Sequence, residues 1–146
     1  MNKQNALIEI VNDRLAIFGR RREITPSDNN CQFIAVARGA GLTDEAHIDL
    51  RARVVKYLKD HKSEFEVFMV EGSWNRYIKY ISTVGVGWGD NLTLAVLTRL
   101  LQCEIQVVSD LPVGNYVQTL TPPEILKPAI VIVHYGEVHY ESTVRI

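Results

Sequence analysis

The chain has 146 residues, of which 47% are hydrophobic and 23% are charged. This composition is ordinary for a soluble globular protein and excludes disordered and fibrous classes, and the length predicts one domain with a buried core. The formal net charge of −1 gives no overall electrostatic drive toward nucleic acid or anionic lipid. We therefore expect neither a nucleic acid nor a membrane as a partner.

The cellular compartment is predicted from the apolar stretches and the cysteines. No apolar stretch approaches the roughly 18 residues of a membrane span, and charges interrupt the apolar residues at the N-terminus, which argues against a signal peptide. Cys31 and Cys103 lie far apart and match neither a zinc-ligand spacing nor a disulfide framework. We expect free thiols, a cytoplasmic location, and no metal or other cofactor.

Helices are predicted for the first half of the chain, because its apolar residues recur at helical spacing. Gly19 is expected to end the first helix, and Thr43 is expected to cap the third. The segment between the first two helices, which contains the basic run Arg20–Arg22, is interpreted as a connection with a solvated surface turn. The predicted helices span residues 5–18, about 31 to the glycines at 39–41, 42–65 and 65–82.

The second half is predicted to contain the sheet. A glycine-rich loop and an amphipathic helix come first, and apolar runs typical of strands follow. Helices followed by a late cluster of strands predict an α+β domain with a small sheet. The predicted order is a loop over 82–91, a helix over 92–103, a strand over 104–109, a loop over 112–128, a central strand over 129–135 and an alternating strand over 137–144.

The glycine-rich loop, "GVGWGD" at residues 85–90, does not indicate a nucleotide site. It is not the GxGxxG pattern of dinucleotide-binding folds, and it lacks the lysine of a phosphate-binding loop. No convincing strand precedes it. A nucleotide is therefore not expected as a ligand.

Cys31 is the candidate nucleophile. It follows a cluster of polar turn residues in "SDNNCQFIAVA" and opens an apolar helix. The positive end of a helix and a nearby imidazolium both stabilise a thiolate, which is the nucleophilic form of cysteine. Cys103 lies inside the apolar run "LLQCEIQVV" and is expected to be buried and inert. Cys31 therefore needs a histidine brought to it by the fold.

The C-terminal strands offer the better histidine candidates. Two of the four histidines lie in or just after the charged third helix, where solvated histidines are common, and the other two, His134 and His139, lie in the C-terminal strand pair. In "VHYES", His139 and Glu141 project from the same face of a strand, about 7 Å apart along it. A carboxylate there can bond one imidazole nitrogen while the other faces a thiol. From spacing alone, a catalytic Cys31–His139 pair and two satisfied structural residues are equally good interpretations.

Four segments resemble one protein family. "DNNCQFIA" resembles the D-G-N-C-L-F-R-A signature around the nucleophile of ovarian-tumour (OTU) domain cysteine proteases. "HIDLRARVVKYLKDH" is similar to the family's L-R-x-x-V-V-x-Y-L helix, and "WGDNLTLAVLTRLLQCEIQVV" to its W-G-G block. "IVIVHYGEVHYES" resembles the last block, an apolar strand followed by H-Y-[DN]-S. The matches come in the family's order and span residues 25–143.

The resemblance implies an α+β, papain-like OTU fold with a small mixed sheet flanked by helices. Residues 1–146 are expected to form a single domain, with an N-terminal helix and connection over 1–24 and a family-like core over 25–143. The implied activity is that of a metal-independent thiol protease. It would hydrolyse the (iso)peptide bond after the C-terminal glycine of ubiquitin or a related modifier through a thioester, in the host cytosol if the source is a virus or bacterium.

The resemblance also implies residue roles. Cys31 would be the nucleophile, and its backbone N–H would help to stabilise the oxyanion. His139 would be the general base, and Glu141 stands where the family has an orienting Asp or Asn. Either Glu141 holds this role or, if another group orients His139, it is a solvent-facing charge. Asp28, Asn29 and Asn30 are implied to lie near the oxyanion, and Trp88 and Gly89 to line the channel for the modifier's tail. The alternative for Asp28 is a purely structural role in the turn, and the alternative for Trp88 is a purely structural role in the core.

Several positions depart from the family pattern. Asn29 replaces a glycine, Gln32 and Ile34 replace Leu and Arg, Thr93 replaces a frequent glutamate, and Glu141 is one methylene longer than Asp. The departures at Asn29 and Thr93 favour an alternative, a non-catalytic ubiquitin-binding module that keeps the fold. A thiol hydrolase for a different acyl or peptide substrate is a third possibility.

Overall fold

The architecture is taken from a computed structural model that describes residues 2–136 and 139–146. A short 3₁₀ turn at Glu66–Phe68 follows the fourth of its helices. The helices are α1 (Lys3–Ile17), α2 (Cys31–Gly39), α3 (Ala46–Asp60), α4 (Lys62–Phe65), α5 (Trp74–Ser82) and α6 (Asn91–Leu101). The strands are β1 (Arg20–Glu23), β2 (Ile105–Ser109), β3 (Val117–Leu120), β4 (Ile130–Tyr135) and β5 (His139–Arg145).

The strands form one mixed sheet in the order β1-β5-β4-β2-β3. β2 and β4 are parallel, and the other neighbouring pairs are antiparallel. β4 is the central strand, as its continuous apolar run predicted, and Ile132 and Val133 are fully buried on its two faces. A mixed sheet flanked by helices confirms the predicted α+β class.

Both faces of the sheet are covered, and this positions the site. The main core joins the sheet to α2, α3, α5 and α6, while Val11 and Leu15 of α1 pack on the opposite face against Val108 and Val133. β5 is consequently buried on both sides over residues 139–143. None of the described helices is long and apolar enough to cross a membrane.

Two short strands lie where the sequence predicted only connections. β1 falls in the basic segment after the first helix, and β3 falls in the predicted loop over 112–128. Both are edge strands, and β3 is exposed along most of its length. The apolar alternation that identifies a strand comes from burying one of its faces. Charged or exposed edge strands bury little of either face, so their sequences lack this pattern. The solvated turn predicted for Arg20–Arg22 is therefore wrong.

The helical boundaries also differ in three places. The helix predicted over 42–65 is broken at His61 into α3 and α4. Helix is predicted over 65–82, but residues 69–73 form no helix, and Gly72 takes a left-handed φ of 81° before α5 begins. Glu45, not Thr43, is the residue before α3. The predicted strand over 137–144 begins at residues 137 and 138, which lie outside the described residues.

Candidate active site

Cys31 is the first residue of α2 and is only 1% exposed. A turn stabilised by Asp28 leads into it, because the Asp28 carboxylate accepts the Asn30 N–H at 2.9 Å. The Cys31 N–H donates to the Asp28 carbonyl oxygen at 3.2 Å. Asp28 is exposed and shapes this turn through its side chain and its carbonyl group. The Cys31 N–H, predicted to bind the oxyanion, is thus engaged within the turn in this structure.

The sulfur of Cys31 faces β5. α2 packs against this strand, and the backbone N–H of Tyr140 donates to Sγ of Cys31 at 3.4 Å. His139 directly precedes Tyr140 in the strand. The fold therefore brings the predicted nucleophile and the predicted histidine together from opposite ends of the chain.

His139 is buried and is held through one ring nitrogen. Its Nε2 lies 3.4 Å from Oε2 of Glu141, and the sulfur of Cys31 is a second interaction partner of the ring. The sulfur of Cys31 and then the carboxylate of Glu141 raise the pKa of His139 to about 9, against the lowering effect of burial. This pKa favours the imidazolium form at neutral pH.

Glu141 is 1% exposed, so it is not a solvent-facing charge. Its Oε1 accepts from Nε of Arg22 at 2.7 Å and from the hydroxyl of Tyr135 at 2.9 Å, and its Oε2 accepts from the backbone N–H of Thr25 at 3.2 Å. Burial raises the pKa of Glu141, but His139 and these three donors outweigh burial and lower it to about 2. Glu141 is consequently a fixed anion beside His139.

Arg22 is a site residue that the sequence analysis missed. It lies on β1, the strand predicted to be a surface turn, and its Nη2 also donates to the hydroxyl of Tyr135 at 3.1 Å. The signal in the sequence was the basic run itself, since one arginine of such a run can serve a buried carboxylate. Nothing in the run distinguishes Arg22 from Arg20 and Arg21 without the register of β1 on β5.

The other candidate thiol and histidine lie in different surroundings. Cys103 is buried, and burial raises the pKa of its thiol, with Lys127 opposing this shift. His134 stacks on the ring of Tyr140, with 4.1 Å between ring centroids. The predicted preference for Cys31 and His139 agrees with these surroundings.

Trp88 and Gly89 lie next to the nucleophile's helix. The backbone N–H of Trp88 donates to the hydroxyl of Tyr80 at 3.0 Å, and the Trp88 side chain is half-buried against the main core. Gly89 packs so closely on the side chain of Gln32 that a Cβ at position 89 would overlap it. Gln32 directly follows Cys31, so Gly89 lies beside the start of α2. The predicted contact of Trp88 and Gly89 with a substrate stays a prediction.

Two departures from the family pattern, Gln32 and Thr93, contact each other. The hydroxyl of Thr93 donates to Oε1 of Gln32 at 2.6 Å, and Nε2 of Gln32 donates to the carbonyl oxygen of Asp90 at 3.1 Å. Asp90 and Thr93 also form a reciprocal cap at the start of α6. Thr93 is fully buried, so this position holds the start of α6 rather than contacting a modifier's tail.

A buried sulfur at a helix N-terminus, an imidazole with a raised pKa and a fixed carboxylate form the arrangement of a thiol hydrolase of the papain type. A model of the OTU-like cysteine protease family matches residues 26–143. The chain therefore belongs to the OTU-like cysteine protease family.

The chain also resembles individual proteins of this family in sequence and in structure. The chain is 28% identical over 134 residues to OVARIAN TUMOR DOMAIN-containing deubiquitinating enzyme 10 of Arabidopsis thaliana, covering 92% of this chain but only 37% of that protein. The structure resembles the OTU domain of OTUD1 with a TM-score of 0.81 and 24% identity, covering 96% and 95% of the two chains. It also resembles an OTU domain solved in complex with ubiquitin, with a TM-score of 0.71, 21% identity, and coverage of 86% and 69%.

Proposed function

We propose that this chain is a deubiquitinating thiol protease, which hydrolyses the (iso)peptide bond after the C-terminal glycine of ubiquitin or a ubiquitin-like modifier. The observation that carries the proposal is the placement of His139 between the Cys31 thiol and the buried Glu141 carboxylate. Family membership supports the thiol chemistry. A relative named as a deubiquitinating enzyme and a similar fold solved with ubiquitin support the substrate.

The first half of the reaction forms a thioester. His139 takes up the thiol proton of Cys31, and its pKa of about 9 favours the imidazolium form at neutral pH. Sγ of Cys31 attacks the carbonyl carbon of the modifier's last glycine, which gives a tetrahedral oxyanion. His139 then donates its proton to the departing lysine amine, the C–N bond breaks, and the acyl group remains on Cys31.

The second half releases the modifier. His139, now neutral, takes a proton from a water molecule that attacks the thioester carbonyl. The C–S bond breaks, and the Cys31 thiolate and the His139 imidazolium form again. Glu141 stays ionised throughout, because its pKa is near 2, and it holds the ring of His139 by Nε2.

The oxyanion is stabilised at the turn that precedes Cys31. The Cys31 N–H points into this turn and is bonded to the Asp28 carbonyl at 3.2 Å, so oxyanion binding requires this bond to lengthen. Hydrogen bonds of catalytic sites are often completed only when the substrate is bound. Asp28 then acts by shaping the turn and not by proton transfer.

The proposed partner is ubiquitin or a ubiquitin-like modifier with its conjugates, and neither nucleic acid nor a membrane is part of the proposal. The proposed location is the cytoplasm, or the host cytosol for a protein delivered by a virus or bacterium. Both cysteines are unbridged, which suits a reducing compartment.

The proposal is tested by hydrolysis of ubiquitin that carries a fluorogenic amide at its C-terminus. We expect turnover by the unmodified chain and by Cys103→Ala, and none by Cys31→Ala. Ubiquitin binding without turnover would instead support the non-catalytic module. If the chain neither binds nor hydrolyses the ubiquitin substrate, that result would contradict ubiquitin as the ligand.

A further inference from the structure

We propose that Arg51 is a positioning residue, which locks the turn before Cys31 onto the segment that leads to Trp88 and Gly89. The inference rests on the proposed function for its catalytic consequence, although the lock itself is a property of the free protein. Arg51 lies on α3 and is buried. It acts through the backbone groups that it holds.

The guanidinium of Arg51 binds both segments at once. Its Nη1 donates to the carbonyl oxygens of Ile81 at 2.9 Å and Gly87 at 2.7 Å. Its Nη2 donates to the carbonyl oxygen of Asn29 at 3.1 Å and to Oδ1 of Asn30 at 2.9 Å. One side chain therefore joins the residues that immediately precede Cys31 to those that immediately precede Trp88.

Arg51 is buried as a cation among neutral acceptors. It is 1% exposed, and burial is the main cause that lowers its pKa. Its four hydrogen bonds within the described residues all go to carbonyl or amide oxygens, and Cζ lies 4.4 Å from the centroid of the Phe33 ring. The charge of Asp28 acts on Arg51 and opposes the effect of burial, but no hydrogen bond pairs the two side chains in this part of the chain. Burying a charge without a paired anion is unfavourable, so an apolar side chain would serve packing alone better. The rigid fork of donors is what the position requires.

The two segments are also joined to each other around this fork. Oδ1 of Asn30 accepts the backbone N–H of Gly85 at 3.0 Å, and the amide of Asn29 donates to the carbonyl oxygen of Val86. Gly87 packs on the last turn of α5 so closely that a Cβ would overlap the Tyr80 carbonyl. The segment therefore has a fixed path up to Trp88, and Arg51 binds both this segment and the turn before Cys31.

This placement bears on the chemistry in two ways. The hydrogen bond to the Asn29 carbonyl fixes the peptide plane between Asn29 and Asn30, and hence the turn whose N–H groups surround the oxyanion. The hydrogen bond to Gly87 fixes the opposite wall of the channel proposed for the modifier's tail. A misplacement of about 1 Å at such a site can lower the rate by about 100-fold.

The test compares Arg51→Lys with Arg53→Lys, the same change at an exposed residue of the same helix. Lysine keeps the charge but has a single nitrogen, so it cannot bridge both segments as the fork does. Amide hydrogen exchange is measured on the free proteins over residues 28–31 and 85–89. We expect exchange to become at least about tenfold faster there in Arg51→Lys, with unchanged exchange in the central strand β4 and no change in Arg53→Lys.

The catalytic consequence is measured on the fluorogenic ubiquitin substrate. We expect Arg51→Lys to lower kcat by about 10- to 100-fold with a smaller change in KM. Alkylation of Cys31 by iodoacetamide needs the thiolate but neither the oxyanion turn nor the channel, so its rate should change less than about twofold. Arg53→Lys should match the unmodified chain in both assays.

The outcomes separate this inference from the proposed function. Unchanged exchange over 28–31 and 85–89 in folded Arg51→Lys overturns the lock, and so does a kcat equal to that of Arg53→Lys. If Arg51→Lys does not fold, Asn30→Ala removes one acceptor of the fork, and unchanged exchange over 85–89 in that variant overturns the lock. An unmodified chain that turns over no ubiquitin contradicts the proposed function, while the exchange experiment still decides the lock.

Discussion

Glu141 holds His139 from two positions along the same strand, with Oε2 at 3.4 Å from Nε2. The two carboxylate oxygens have separate partners, since Arg22 and Tyr135 bind Oε1 while His139 and Thr25 share Oε2. The extra methylene relative to the family's Asp is therefore accommodated by a buried set of donors.

Glu141→Gln should move the alkaline limb of the activity profile to lower pH. The pKa of His139 is raised to about 9, so the imidazolium is present at neutral pH and is lost as the pH rises through about 9. Glu141 contributes to this shift, and its charge is worth about 1–3 pKa units at such a distance. The measurement is kcat/KM against pH. An alkaline limb that stays near pH 9 in Glu141→Gln would contradict the role of Glu141.

Arg22→Gln should destabilise the protein by about 1–3 kcal/mol at neutral pH, because it removes a charge-assisted bond to a buried carboxylate. The pKa of Glu141 is lowered to about 2, so its contribution to stability is present above its ordinary value of 4.5 and is lost as the pH falls toward 2. The difference in unfolding free energy from the unmodified chain should therefore shrink below about pH 4.5.

The matched control for Arg22→Gln is Arg21→Gln, on the same strand but exposed. We expect urea unfolding of Arg21→Gln to stay within about 0.5 kcal/mol of the unmodified chain at each pH. Equal losses for the two variants would show that Arg22 stabilises β1 generally and not Glu141.

His139→Ala should abolish turnover, with a loss of about 1000-fold or more, since it removes the only proposed proton donor and acceptor of the reaction. His134→Ala should keep kcat within about tenfold, because His134 stacks on Tyr140 and neither accepts nor donates the reaction's proton. Both variants are compared at equal folded concentration, verified by circular dichroism. Equal losses in two folded proteins would overturn the choice of His139.

Gln32→Leu and Thr93→Val should be non-additive in stability. Thr93→Val removes this donor from Oε1 of the buried Gln32, at a cost of about 1–3 kcal/mol, while Gln32→Leu removes one acceptor of the Thr93 hydroxyl, which still donates to the carbonyl oxygen of Asp90. The double variant should cost less than the two single changes together, with a coupling energy of about 1 kcal/mol. Additive unfolding free energies would mean that the two departures from the family pattern are independent.

The part of the site that sequence reasoning located depends on local patterns. Cys31 follows a polar turn and opens an apolar helix, and His139 and Glu141 are two apart in a strand, so the spacing places them on one face. The central position of β4 follows in the same way from its unbroken apolar run. These features are fixed by residues close together in the chain, and the resemblance to the OTU family favoured the catalytic interpretation of the Cys31–His139 pair.

The residues that were missed depend on contacts between distant segments. Arg22 reaches Glu141 only because β1 pairs with β5 at one register, and a basic run on an edge strand gives no sign of that register. Arg51 lies on a helix whose charged residues are otherwise exposed, and its burial follows from the return of residues 81–87 over α3. The sequence contains both arginines but not the geometry that gives them their partners.

The central claim is that Cys31 acts as the nucleophile toward the C-terminus of ubiquitin. It is tested most directly with ubiquitin that carries an electrophile at its C-terminus, followed by intact mass measurement and peptide mapping. We predict an adduct with one ubiquitin attached to Cys31 in the unmodified chain and in Cys103→Ala, and no adduct in Cys31→Ala. No adduct in the folded unmodified chain, or an adduct at Cys103, would contradict the account.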